Sequence, residues 1–186
     1  MNETIKTILS RRSVRAYSSE QIKPEELDLI VKAGLYAPSA CNQQSWHFTV
    51  IQDSKLIDDL NKASKEEMLK QDDEYLKNFG SNEDFNLFYN APTVIVVSGE
   101  KSAIAPRVDC AAATENMLLV AESLNIGTCW IGLVTPLFQS ERAAEFSKLF
   151  GVPEGYELYH AIALGYKASE GEASPRRENT VNYILK

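Results

Sequence analysis

A length of 186 residues fits one globular domain, and 44% hydrophobic with 24% charged residues excludes disordered and fibrous classes. The formal net charge of -7 argues against a nucleic-acid surface, which needs a basic face to release counterions from phosphates. With no apolar run of the roughly 18 residues that span a membrane, and no apolar signal core at the start, the expectation is a single cytoplasmic domain over 1–186, free of membrane and nucleic acid. Cys41, Cys110 and Cys129, with His47 and His160, are too few and too scattered for a disulfide framework or a zinc site. No metal is expected, and each cysteine reads as a small buried hydrophobe.

In chain order, residues 4–9 read as a short helix leading into S-R-R-S-V-R-A-Y-S-S at 10–19. There Arg11, Arg12 and Arg15 surround Ser13. A serine hydroxyl among guanidinium forks suits phosphate oxygens, because each arginine can donate two parallel hydrogen bonds. The same residues also read as a solvated basic turn at a helix end, where the dipole favours cations. In an acidic chain so local a cluster points to a small partner.

Residues 23–37 form a second helix, with Pro24 at its first position, acids in its first turn and Leu27, Ile30 and Val31 at helical spacing. Pro38 ends it. The following stretch, A-P-S-A-C-N-Q-Q-S-W-H-F over 37–48, places Pro38, Ser39 and Ala40 in a rigid turn that exposes backbone. Asn42 and Gln44 offer amide donors and acceptors that match a planar heterocycle such as a flavin pyrimidine, or that cap a loop. Trp46 reads as core, His47 as a structural histidine, and 47–51 as a strand.

The polar segment 53–90 is expected to be helical with a break near 80–84. Its Phe79, Phe85, Phe88 and Tyr89 either pack it onto the body or roof a ligand pocket. T-V-I-V-V-S at 93–98 reads as a strand covered on both faces. Ala111, Thr114, Leu118, Ala121 and Leu124 recur near period 3.6 and predict a central helix over 107–125, stopped by Gly127. A strand over 128–133, a helix over 139–150 closed by Gly151, and a strand over 158–165 follow. A second basic pair, Arg176 and Arg177, precedes an extended 180–185 that is suited to add to a sheet edge, including a partner subunit's.

Two helices before any strand point to an α+β or mixed α/β layered domain. Gly127 and Gly132 lack the Lys-Ser/Thr of a phosphate-binding P-loop, and Cys41 with His47 lacks a third orienting group. No catalytic side chain is therefore assigned.

Taken together, R-R-S-V-R-A-Y, A-P-S-A-C-N-Q-Q-S-W-H-F, G-T-C-W-I-G and P-R-R resemble the nitroreductase family of FMN-dependent oxidoreductases, over essentially the whole chain from Ile5 to Arg177. The resemblance implies an α+β three-layer fold, a central mixed or antiparallel sheet flanked by helices, and a homodimer with C-terminal strand exchange and FMN at the subunit interface. It further implies that Arg11, Arg12, Ser13 and Arg15 bind FMN. The phosphate would lie against Arg11 and Ser13 with Arg176 or Arg177, and Arg15 would face the N1/O2 side, where reduction leaves negative charge. Pro38, Ser39, Ala40 and Asn42 would come from the other subunit, with Gln44 on the same loop. The backbone at Trp130, Ile131 and Gly132 would lie by the N5 edge.

The implied activity is ping-pong hydride transfer from NAD(P)H through flavin N5 to a nitroaromatic, quinone or similar acceptor, with the protein supplying geometry. The alternative is an FMN-binding protein without turnover. Two positions depart from the family pattern. Ser45 stands where proline is usual, and Cys41 where other small or medium residues are; both border the implied pocket and bear on substrate more than on cofactor.

Overall fold

A four-stranded antiparallel sheet in the order β1-β2-β4-β3 forms the middle layer of the computed structural model, which describes residues 1–185. Its strands are β1 (Trp46–Ile51), β2 (Thr93–Glu100), β3 (Ile126–Ile131) and β4 (Tyr156–Tyr166). The helices are α1 (Glu3–Ser10), α2 (Pro24–Leu35), α3 (Ser54–Leu69), α4 (Glu74–Ser81), α5 (Pro106–Ser123), α6 (Thr135–Phe138) and α7 (Ala143–Leu149). The α+β layered class expected from the sequence is the one observed.

The central strands explain the layering. Thr93 to Gly99 of β2 are all buried, as a strand covered on both faces must be. Alternation then sends Val94, Val96, Ala161 and Ala163 to one core with α3, α6 and α7, and Ile95, Val97, Ile162 and Leu164 to another under α2 and α5. Ala113, Met117 and Ala121 of α5 are fully buried in the second core. α2 comes close above them, since a Cβ at Gly34 would lie 3.1 Å from Met117 and from the Phe48 ring. The aromatics of the excursion divide. Phe88 is wholly buried and Phe79 and Phe85 pack against the first core, whereas Tyr89 also reaches an arginine.

Several expectations are corrected. α5 stops at Asn125, which adopts a left-handed φ of 59°, and not at Gly127, which lies inside β3 opposite Gly165. The predicted helix over 139–150 is shortened to α7, and a separate short helix, α6, precedes it. Pro136 starts α6 early, and Ser140 accepts a hydrogen bond from the Arg142 amide at 3.1 Å, which begins a new turn. Cys41 is exposed, unlike Cys110 and Cys129. Residues 180–185 pair with no strand among the described residues and stay exposed.

The only buried histidine among the described residues is held neutral. His160 stacks on Trp130 with ring centroids 4.1 Å apart, and its Nε2 lies 2.8 Å from Thr114 Oγ1. The Thr114 hydroxyl donates to the Cys110 carbonyl at 2.8 Å, so Nε2 carries the hydrogen and donates to Oγ1. Burial pushes the imidazole down to about 4. Between pH 6.5 and 4 the unfolded chain binds a proton that the folded chain refuses, so stability falls on acidification. The expected loss across that window is up to about 3 kcal/mol, measured by urea unfolding at stepped pH. His160→Gln removes that component of the slope; an unchanged slope in the variant contradicts the assignment.

Candidate functional site

The arginine segment is positioned by the edge of the sheet. α1 ends as the Arg11 amide donates to the Thr7 carbonyl at 2.9 Å with Arg11 at extended ψ. The chain then lies along β3, where Ser13 bridges Thr128 in parallel and the Val14 amide donates to the Thr128 carbonyl at 2.8 Å. Val14 is buried at 2% exposure, and Tyr17 donates its hydroxyl to the Val14 carbonyl at 2.7 Å. Alternation along an extended segment points Val14 inward and leaves Ser13 and Arg15 outward.

The tail returns to the same place. Tyr17 bridges Lys167, and the Ala168 amide donates to the Ala16 carbonyl at 3.0 Å. Lys167 Nζ lies 3.0 Å from Glu122 on α5, a largely buried pair that fixes where the tail departs. Arg11, Arg12, Ser13 and Arg15 thereby line an open cavity of about 300 Å³ with Gly171, Glu172, Ser174 and Arg176. The tail backbone presses on the cluster, for a Cβ at Gly171 would meet Arg12 Cβ at 2.7 Å. Arg177 does not line this cavity.

The arginines are not equivalent. Arg12 donates to the carbonyls of Leu9 at 2.8 Å and Arg11 at 2.6 Å, so it caps the end of α1 and there fits the basic-turn reading. Arg11 makes a long contact of 3.8 Å to Glu115, which stabilises little at the surface. Arg15 donates from Nε to the Tyr89 hydroxyl at 3.3 Å, with its guanidinium 5.8 Å from the ring centre; the Tyr89 hydrogen bond raises its pKa further. Arg15 and Arg176 have no ion pair among the described residues. Beneath them burial pushes the Cys129 thiol up, against the pull of Arg15, Ser13 and Arg11. Such a cavity suits a small polyoxygen anion.

Tyr89 was legible only as one of four aromatics that either pack the excursion or roof a pocket, and its pairing with Arg15 was not legible. It stands 74 positions from Arg15, and its contact depends on left-handed backbone at Tyr89 and Asn90, φ 54° and 57°. Asn86 supports that turn, its side chain accepting from the Phe88 amide at 2.8 Å.

The second expected group sits elsewhere. Pro38, Ser39, Ala40, Asn42 and Gln44 do not line the arginine cavity. Gln44 donates from Nε2 to Asn42 Oδ1 at 3.2 Å, and the Gln44 amide donates to Ser39 Oγ at 2.9 Å, so loop capping engages part of their polarity. In the third group Trp130 is 38% exposed, Ile131 is buried, and Gly132 is open, with nothing within 4 Å of where a Cβ would sit. No cluster of three or more His, Cys, Asp or Glu able to hold a metal occurs among the described residues, and no helix there is long and apolar enough to cross a membrane.

Comparison with known proteins bears on family and fold. The profile of the nitroreductase family matches residues 8–166. A candidate NADH dehydrogenase/NAD(P)H nitroreductase of Archaeoglobus fulgidus is 38% identical over 91% of this chain and 88% of its own. A nitroreductase with bound FMN from Bacteroides fragilis superposes with a TM-score of 0.92 at 36% identity, over 100% of both chains. One from Desulfitobacterium hafniense, also with bound FMN, gives 0.91 at 31% identity, again over 100% of both.

The seating of the arginine segment yields a test. A Cβ at Gly127 would lie 2.8 Å from Val14 Cγ1, so Gly127→Ala is expected to lower stability by about 1–3 kcal/mol. Val14→Ala removes that nearest atom while Val14 Cβ and Lys167 Cγ stay 3.0 Å from the site, so Gly127→Ala introduced into that background should destabilise less. Urea unfolding of the four proteins of this cycle measures the difference, and equal losses in both backgrounds refute the contact.

Proposed function

Because the chain belongs to the nitroreductase family, we propose that it is an NAD(P)H-dependent oxidoreductase that holds FMN against the arginine cavity. The observation that carries this reading is the convergence of Arg11, Ser13 and Arg15 with Arg176, from opposite ends of the sequence, on one cavity. The cavity fits a phosphate ester. It gathers guanidinium and hydroxyl donors around an open volume, with Glu172 the only carboxylate in its lining.

Arg11, Ser13 and Arg176 would hold the phosphate, while Arg12 secures the backbone between them through its contacts to Leu9 and Arg11. Arg15, kept in place by Tyr89, would set a permanent positive charge toward the N1/O2 side of the ring. When bound, the flavin supplies the two-electron chemistry, taking hydride from NAD(P)H and passing electrons to a nitroaromatic, quinone or similar acceptor. The open backbone at Gly132, with Trp130 and Ile131, would border the reacting edge, and this assignment needs no acid–base side chain.

Since Pro38, Ser39, Ala40, Asn42 and Gln44 stand outside the cavity of their own chain, a partner copy would bring them to the flavin, making the functional unit a homodimer. The exposed tail supports this, with Val181, Tyr183, Ile184 and Leu185 uncovered at 62%, 79%, 100% and 82%. A cytoplasmic location fits a reaction fed by NAD(P)H.

Purified protein is expected to bind FMN, to lose its yellow colour anaerobically with NADPH or NADH, and to regain it with nitrofurazone or menadione. Failure to take up FMN overturns the proposal. Arg11→Ala and Arg176→Ala should each weaken FMN binding about 10- to 100-fold, the range for one charge-assisted hydrogen bond to a phosphate. Melting of the FMN-free protein should stay nearly unchanged, and Arg177→Ala should bind FMN as the parent does. Fluorescence titration of FMN decides, and equal losses at Arg176 and Arg177 would refute the division of roles.

A further inference from the structure

A buried carboxylate on the central helix is not used by the function above. Asp109, in the first turn of α5, is 3% exposed and has no cationic partner among the described residues. Its Oδ1 accepts the Ala40 amide at 3.0 Å, and its Oδ2 accepts the Ser45 hydroxyl at 2.8 Å. Ser45 is itself fully buried, and its carbonyl accepts the Glu100 amide at 2.8 Å, tying the same point to the end of β2. One side chain on a rigid helix therefore grips both ends of the loop from Ala40 to Ser45.

That loop needs gripping. Cys41, Asn42 and Gln44 all have left-handed backbone, φ 49°, 54° and 50°, a region Asn enters readily but Cys and Gln uncommonly and at a cost. The Gln44 amide bonded to Ser39 Oγ and the Ile104 amide bonded to Gln43 Oε1 act from the outside of the loop, in exposed positions. The Asp109 contacts act from inside, that to Ser45 fully buried and that to Ala40 partly so, where an unpaired group is costly. A residue without a hydroxyl at 45 would leave Oδ2 without this donor.

We propose that Asp109 is a positioning residue for the flavin, with Ser45 as the second half of the same clamp. By fixing the Ala40 amide and Ser45 it sets the backbone from which Pro38, Ser39, Asn42 and Gln44 would meet the ring. This rests on the FMN reading above. The chemistry makes a specific demand. Asparagine at 109 can accept from the Ala40 amide through its oxygen and donate from its NH2 to Ser45 Oγ, since a hydroxyl can reverse its role. Alanine can do neither.

The test uses the full chain with Asp109→Ala, Asp109→Asn and Ser45→Ala. It reads the FMN dissociation constant by fluorescence and amide exchange at 40–45 in the FMN-free protein. Asp109→Ala is expected to weaken FMN binding about tenfold or more and to speed exchange at 40–45 while the centre of α5 stays protected. Asp109→Asn should restore both to within about threefold of the parent. If Asp109→Ala does not fold, Ser45→Ala, which removes one contact, carries the prediction with a several-fold weaker affinity and faster loop exchange. Unchanged affinity and exchange in Asp109→Ala, or an Asn variant as impaired as the alanine, overturns the clamp. A parent protein that takes up no FMN overturns the proposed function instead, and loop exchange still decides on the clamp.

Discussion

The backbone bond from Val14 to Thr128 holds the N-terminal segment on the edge of the sheet, and the cationic cavity depends on it. An edge strand presents unpaired amides and carbonyls, and here the segment after α1 answers part of that need while delivering Ser13 and Arg15 to the surface. Val14 fits because Gly127 opposite has no side chain. Arg12 caps the end of α1, but Ser13 and Arg15 are presented by an apolar contact and a strand bond one residue away, so most of the site's charge and its rigidity come from different residues.

The sheet sets the remaining distances. With β2 and β4 central and buried on both faces, the molecule divides into two cores. α5 lies in one of them and serves three places at once. Asp109 at its start holds the Ala40–Ser45 loop, Thr114 at its middle fixes the His160 tautomer, and Glu122 near its end anchors Lys167 where the tail leaves. A rigid helix under the sheet thus relates loops that are far apart in sequence, and scaffold rather than loop chemistry fixes the geometry.

Much of this was legible in the residues. Strict apolar runs such as that of β2, and helix starts marked by Pro24, translate directly into elements because they follow local rules. The arginine cluster was ambiguous alone, and in the structure its members differ, with Arg12 turned to the helix end and Arg15 toward Tyr89. What was misread turned on tertiary contact. Gly127 looked like a helix stop because its neighbour across space, Val14, is invisible to local pattern, and Asn125 performs the stop. Asp109 gave no signal because its partners stand 64 to 69 positions away, and Tyr89 showed only as one aromatic among four because Arg15 stands 74 positions from it.

The cavity wall formed by Glu172, Ser174 and Arg176 belongs to a stretch whose residues, from Glu172 to Leu185, are all exposed. Elements with so few buried contacts open at a small fraction of the free energy of global unfolding. The site therefore has one wall with the durability of the sheet and one with the durability of an exposed, irregular tail. Escape of anything held there is timed by the weaker wall, so residence time is tunable by substitutions along the tail that leave the melting temperature of the body untouched.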